Sequence, residues 1–382
     1  MVVELMSIIT INCSLGEVID KITILDIKCD EIKDQAKLLD CKGERDMLLS
    51  NIRHVYDPVL HFNRQVLRYI NKQIWDDQEV VRSIEDDAEY GRICKKVIED
   101  NDSRFRVKRI INAHFNSQLK EQKSYQGKTC LVVSHMGLGD CINIAAAVRY
   151  YSTKYEQVAV IAKSHIANNI RLLYQDNPFI QVLVIDSNQD ETRQVKEIAQ
   201  MYYQLGADVK LSGFFYTHTT YKTEHVPIGF YTDFGLDFEQ VFMSKDWFFC
   251  KDTLEDELKQ QLKQLNIVLV HKNASTQCVD VIAENVKHHL HSSNTLVIDT
   301  SVNAYTEDHP HFELACKLVM MPISSYVWII ENANEIHAVD SWLYCMSINL
   351  HSKATKKVVY ARSMMPVIEK LDPTFECVDL EA

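Results

Sequence analysis

Hydrophobic residues near the N-terminus recur at spacings of three and four, with charged residues between them. This is the pattern of an amphipathic helix, and Ser14 and Glu17 form a capping-box sequence at its start. Similar patterns predict further helices over residues 35–56, 58–75 and 77–100. The N-terminal segment is therefore predicted to be α-helical. The hydrophobic positions of the first helix are Val18, Ile22, Leu25, Cys29 and Ile32.

From residue 128 onwards, short apolar runs alternate with helical patterns, as in parallel βαβ units. We predict an α/β fold with two Rossmann-like lobes, preceded by an α-helical domain. The predicted domains are residues 1–125, 126–245 and 246–382. The predicted strands are 128–134, 157–162, 180–185, 267–271, 295–299, 335–339 and 357–360, and a stretch without a clear period at 213–246 lies between the lobes.

Composition excludes several classes of protein. The formal net charge is −12, and the sequence has no basic stripe of the kind that a nucleic-acid binder needs. The 11 cysteines include no CxxC pair and lie partly within apolar runs, which indicates reduced thiols and a cytoplasmic protein. No apolar stretch approaches the roughly 18 residues of a membrane-spanning helix, and the start does not resemble a signal peptide.

The first candidate motif follows the first predicted strand of the α/β region, at His135 to Asp140. Gly137 and Gly139 allow a tight turn close to a ligand, and a helix start offers free N–H groups to an anion. A tight turn without a ligand is the alternative interpretation. The dinucleotide fingerprint requires a third glycine where this chain has Ile142, which argues against NAD.

The second candidate motif includes a strand at residues 335–339. Alternation places Glu335 and His337 on one face, and Asp340 and Ser341 follow at the carboxyl end, where open α/β sheets bind ligands. These residues suit a phosphate or a ribose. Alternatively, Asp340 or Ser341 only caps the next helix and His337 is a core residue.

Two further turns follow predicted strands of the second lobe. A cation and hydroxyl groups at a strand end suit the growing negative charge of a departing diphosphate. An Asp at the end of a strand and a Lys in a turn are also common where no ligand binds. The candidates are His271, Lys272 and Ser275 in one turn and Asp299 and Thr300 in the other.

The Gly-x-Gly-Asp turn and the small-residue helix after it resemble the heptosyltransferase-like glycosyltransferases of the GT-B fold. The resemblance implies that Gly137, Gly139 and Asp140 face the acceptor and the reacting sugar. Residues 331–341 are similar to the donor-binding segment of that family, but Trp342 replaces its glycine. The N-terminal segment resembles an uncharacterised helical domain associated with sugar-processing proteins. Its charged residues are interpreted as intrahelical pairs and a solvated face, with a role in binding a protein partner or in self-association.

Together these features predict a metal-independent glycosyltransferase, with a nucleotide-diphosphate sugar as co-substrate and a glycan or glycoconjugate hydroxyl as acceptor. Asp140 is the expected base, with His135 as the second candidate. Lys272, Ser275 and the backbone at 340–341 are expected to bind the diphosphate, and Glu335 and His337 the ribose or base. A sugar-nucleotide epimerase of the same fold and a non-catalytic nucleotide- or glycan-binding protein are the alternatives.

Overall fold

The computed structural model describes residues 11–55, 57–123, 127–134, 137–213, 227–274, 278–361 and 370–380. The chain forms two compact units. The first comprises Met1–Gly127 together with Ser152–Glu156 and Asp176–Phe179. The second comprises Lys128–Tyr151, Gln157–Gln175 and Ile180–Ala382.

The first unit is built on four helices: α1 (Leu15–Glu31), α2 (Gln35–Ile52), α3 (Pro58–Val81) and α4 (Asp87–His114). The two long helices run further than the hydrophobic pattern predicted. The acidic run at residues 76–79 continues α3 instead of ending it, and α4 continues to His114, beyond the end of the helix predicted over residues 77–100. Short polar runs on an exposed helix face do not end a helix, because its backbone bonds are still made.

Helix α1 lies against the other three helices of this unit, and its charged residues are more than a solvated face. Asp20 is 1% exposed and accepts hydrogen bonds from Arg104 of α4 and Asn71 of α3. Ser14 caps α1 through the N–H of Glu17, whereas the Glu17 carboxylate contacts Lys108 of α4. The prediction of intrahelical pairs is therefore wrong for Asp20 and Glu17, whose partners lie on neighbouring helices.

The second unit contains two parallel sheets with helices between their strands. The first sheet has the strand order β3-β2-β1-β4. Its core includes Leu131, Ala159 and Ile185, each at most 3% exposed. Its elements are β1 (Thr129–Val133), α5 (Leu138–Asn143), α6 (Ala145–Lys154), β2 (Gln157–Lys163), α7 (Ala167–Leu173), β3 (Ile180–Ile185), α8 (Glu191–Gln204) and β4 (Asp208–Leu211).

The chain then forms α9 (Ile228–Phe234) and a π-helical turn (Glu239–Met243) in the stretch where the sequence showed no period. The second sheet has the order β6-β5-β7-β8-β9, and every described pairing is parallel. Its elements are α10 (Asp256–Leu262), β5 (Asn266–His271), α11 (Val281–Val286), β6 (Thr295–Asp299), α12 (Phe312–Lys317), α13 (Val327–Asn332), β7 (Glu335–Val339), α14 (Trp342–Asn349), β8 (Lys356–Ala361) and β9 (Glu376–Asp379), with 3₁₀ turns at Lys287–His291 and Ile323–Tyr326.

The predicted fold class is confirmed. A helical N-terminal part precedes two Rossmann-like lobes, each a parallel sheet with crossover helices. In each sheet, the chain first adds strands on one side of the first strand and then continues on its other side. The carboxyl ends of β1 and β5 therefore lie at the topological switch points. Open α/β sheets bind ligands at such points.

Candidate functional site

A cavity of ≈ 550 Å³ lies at the carboxyl ends of strands from both lobes. This volume is within the usual range of about 300–1,000 Å³ for small-molecule sites. Most of the residues lining it come from the ends of β1, β2, β5 and β7 and the turns after them, and from helices α5 and α14. The topology thus gathers into one place turns that are far apart in the sequence.

Helices α5 and α14, one from each lobe, meet at this cavity. Asp140 lies in the first turn of α5, and Ser341 is the N-cap of α14. Gly139 makes the approach close, because a methyl group added there would lie 3.2 Å from Cys345 Sγ and 3.5 Å from the Trp342 nitrogen. The two motifs that resembled a family segment are therefore in contact.

Asp140 and Asp340 both line the cavity, and each carboxyl group has a raised pKa. Burial and the negative charge of Asp340 raise the pKa of Asp140 to about 7, although Lys163 acts in the opposite direction. Burial raises the pKa of Asp340. A carboxyl group that titrates near neutral pH can exchange a proton with a substrate under ordinary conditions.

His271, the last residue of β5, lines the cavity together with Asn273 and Ala274 of the following turn. His271 is 5% exposed, its Nδ1 lies 2.6 Å from Thr300 Oγ1, and burial lowers its pKa to about 4. The imidazole is therefore neutral near pH 7. Lys272 is not among the residues that line the cavity, and its ammonium group forms an ion pair with Asp299 at 3.3 Å.

Glu335 and His337 lie elsewhere on the second lobe. Glu335 begins β7, so it is at the opposite end of the strand from Asp340, and its carboxylate contacts His289 and Lys356. His337 is 1% exposed and bonds to Glu335 and to the Tyr360 hydroxyl. Neither residue lines the cavity, so the structure does not bring this pair together with Asp340 and Ser341.

Two predicted site residues, His135 and Ser275, lie outside the described residues. The sequence analysis missed several cavity residues, among them Lys163 and His165. Lys163 ends β2 and pairs with Glu191 at 2.6 Å, and His165 follows it with Nδ1 2.7 Å from Ser187 Oγ. They follow a strand that has no glycine-rich turn, so only their position at the carboxyl end of β2 could have marked them.

Across the parts of the chain that the structure describes, no group of three or more His, Cys, Asp or Glu side chains is arranged to hold a metal ion. Within the same parts, no helix combines the length and the apolar character needed to cross a membrane.

Residues 9–137 match the model of a family of unknown function, DUF6165. No curated protein matches the sequence. Among solved structures, a glycosyl transferase family 9 protein from Veillonella parvula is 12% identical, with 68% of this chain and 89% of that chain covered and a TM-score of 0.42. The ADP-heptose LPS heptosyltransferase II of E. coli is 11% identical, with 65% and 90% covered and a TM-score of 0.40.

A putative UDP-N-acetylglucosamine 2-epimerase from Listeria monocytogenes is also similar, at 11% identity, with 66% of this chain and 84% of that chain covered and a TM-score of 0.38. Likenesses at this level do not assign an activity, because one fold carries many functions. The two-lobed fold rests on the sheets of this chain itself, and the chemistry has to be argued from the cavity.

Proposed function

We propose that the chain transfers a sugar from a nucleotide-diphosphate sugar to a hydroxyl group of a glycan or glycoconjugate, without a metal ion. The observation that carries this proposal is the meeting of Asp140 and Asp340 in a cavity between two Rossmann-like lobes. A two-lobed cavity suits a reaction with two substrates, because each lobe can bind one of them. A carboxyl group with a pKa of about 7 supplies the proton acceptor.

In the proposed reaction, the acceptor oxygen attacks the anomeric carbon of the donor sugar while its proton moves to the Asp140 carboxylate. The bond between the anomeric carbon and the diphosphate oxygen breaks, and its electron pair leaves with the diphosphate. Sugar transfer therefore needs a base on one side of the sugar and hydrogen-bond donors on the other. Asp140 supplies the base from the first lobe.

The second lobe is proposed to bind the diphosphate at the turns after β5 and β7. Backbone N–H groups in the first turn of α14, which begins after Ser341, have no acceptor within the helix and favour a negative charge. When the donor binds, the Lys272 ammonium group is proposed to leave Asp299 and to pair with a phosphate oxygen. This exchange would neutralise part of the charge that develops on the leaving group.

The proposal is tested by thermal shift and by product analysis with UDP-, ADP- and GDP-linked sugars and the corresponding free diphosphates. A ligand at about 100 times its Kd stabilises the folded protein by about 2.7 kcal/mol, which gives a measurable rise in Tm. Asp140→Asn should retain donor binding and lose transfer. Asp256→Asn, a control at a side chain that is 93% exposed, should retain both.

Absence of a Tm rise with every compound would overturn the proposal. Conversion of the donor to an epimer in the absence of any acceptor would favour the epimerase instead. Transfer by Asp140→Asn at the wild-type rate would remove the base from the mechanism.

A further inference from the structure

Three polar side chains that line the cavity each carry an atom with no hydrogen-bond partner in the described part of the chain. These atoms are Asn143 Oδ1, His271 Nε2 and the Tyr344 hydroxyl. The side chains are 7%, 5% and 3% exposed, respectively. Buried polar atoms are almost always paired in folded proteins, so three unpaired atoms around one cavity call for an explanation.

All three groups are neutral near pH 7. Burial, together with the neighbouring Cys345 and Asp340, raises the pKa of Tyr344 far above its ordinary value, so its hydroxyl keeps the proton. Burial lowers the pKa of His271 to about 4. Asn143 offers a carbonyl oxygen that can only accept a hydrogen bond, whereas the Tyr344 hydroxyl can donate or accept.

This set of groups matches a ligand hydroxyl better than a phosphate. A hydroxyl can donate to Asn143 Oδ1 and can accept from the Tyr344 hydroxyl, so hydroxyl groups of one ligand can pair with both atoms. The diphosphate that links a sugar to a nucleoside has no proton to donate to Asn143 Oδ1 near neutral pH. Neutral hydrogen-bonding groups beside carboxylates therefore favour a polyhydroxylated, uncharged ring.

We propose that Asn143 and Tyr344 bind hydroxyl groups of the sugar carried by the donor, an assignment that rests on the proposed sugar transfer. Asn143 is the last residue of α5 and Tyr344 is the third residue of α14, so the sugar is held by one helix from each lobe. His271 also lines the cavity, and its ring centroid lies 5.1 Å from that of Trp342.

Tyr344→Phe is the deciding variant, because it removes only the hydroxyl oxygen. The hydroxyl has no partner among the described residues of the free protein, so its loss should leave Tm unchanged or raise it slightly. Tyr305→Phe is the matched control. Its hydroxyl accepts from the Val297 N–H at 2.8 Å and bonds to the Thr295 carbonyl at 3.3 Å, so its removal should lower Tm by about 2–4 °C.

The affinities of wild type, Tyr344→Phe, Asn143→Leu and Tyr305→Phe are measured by calorimetry for the nucleotide sugar that stabilises the wild type most and for its free nucleoside diphosphate. Tyr344→Phe and Asn143→Leu should each weaken binding of the nucleotide sugar by about 3- to 10-fold, the loss of one neutral hydrogen bond. Binding of the nucleoside diphosphate should not change. Tyr305→Phe should bind both compounds as the wild type does.

Equal affinity of Tyr344→Phe and wild type for the nucleotide sugar overturns the assignment and leaves the proposed function standing. A fall in Tm for Tyr344→Phe as large as that for Tyr305→Phe also overturns it, because the hydroxyl would then have a partner within the protein. If no nucleotide sugar binds the wild type, the proposed function fails and this assignment fails with it.

Discussion

The raised pKa of Asp140 makes the stability of the folded protein depend on pH. Burial and Asp340 raise its pKa from 3.8 to about 7, so between about pH 4 and pH 7 the folded state holds a proton that the unfolded state has released. The stability that this proton contributes is present at low pH and is lost as the pH rises through about 7. Asp140→Asn has no proton to lose, and it should therefore avoid this loss.

We expect the Tm of Asp140→Asn, relative to wild type, to be more favourable at pH 8 than at pH 5. Thermal unfolding of both proteins across this range checks the prediction. Asp256→Asn serves as the control, since a side chain that is 93% exposed should give a Tm difference with little dependence on pH. A Tm difference for Asp140→Asn that is constant from pH 5 to pH 8 would contradict the raised pKa.

The sequence marked some residues of the candidate site and not others, for a physical reason. Gly137, Gly139 and Asp140 form a turn with a recognisable composition, and so do Asp340 and Ser341. Asn143 and Tyr344 lie on buried helix faces, where a pattern of hydrophobicity predicts only core packing. Whether a buried polar atom has a partner depends on the neighbouring helix, which no local pattern contains.

At the scale of elements, strands with a continuous apolar run were predictable and short half-buried ones were not. Strands β1 and β7 each have four buried residues in succession, and β5 has five. Every residue of β4 and β9 is half-buried or exposed, so the hydrophobic pattern of these two strands is weak. Such edge strands form because the neighbouring strand offers its backbone groups, which is a tertiary effect.

Two helix glycines of the first unit allow a matched test of how helices pack. A methyl group added at Gly16 of α1 would lie 2.7 Å from the Lys108 carbonyl oxygen of α4, whereas one added at Gly43 of α2 meets nothing within 4 Å. Gly16→Ala should lower the free energy of unfolding by about 1–3 kcal/mol through overpacking. Gly43→Ala should raise it by about 0.5–1 kcal/mol through helix propensity.

Denaturant unfolding of the two variants and the wild type measures both changes. If Gly16→Ala were at least as stable as the wild type, the close packing of α1 on α4 would be refuted. Destabilisation by both substitutions would instead show that α2 is not a regular exposed helix.

At the scale of the whole molecule, the site exists because two similar sheets place their strand ends at one cavity. The topology predicts this much, since ligands of open α/β sheets bind outside the carboxyl ends of the strands. The pairing of Lys272 with Asp299 could not be predicted in the same way. It depends on the separation of β5 and β6 at their ends, and a strand pattern does not specify the orientation of a long side chain.

The contact between the lobes at Gly139 can be tested by a double-mutant cycle. A methyl group at Gly139 would be tight only against Cys345 Sγ, at 3.2 Å, because the neighbouring backbone atoms of Ser341 and Trp342 lie at 3.5 Å, an ordinary contact distance. Gly139→Ala should therefore lower the free energy of unfolding by about 1–3 kcal/mol. Cys345→Ala alone should also be destabilising, because it leaves unfilled space in a buried site.

In Gly139→Ala/Cys345→Ala the new methyl group enters the space left by the sulfur atom, so the double variant should be more stable than the sum of the two single changes predicts. A favourable coupling of about 0.5–3 kcal/mol is expected for groups in direct contact. Denaturant unfolding of the four proteins measures this coupling. A coupling of zero would mean that α5 and α14 do not touch at Gly139, where a residue of each lobe lines the cavity.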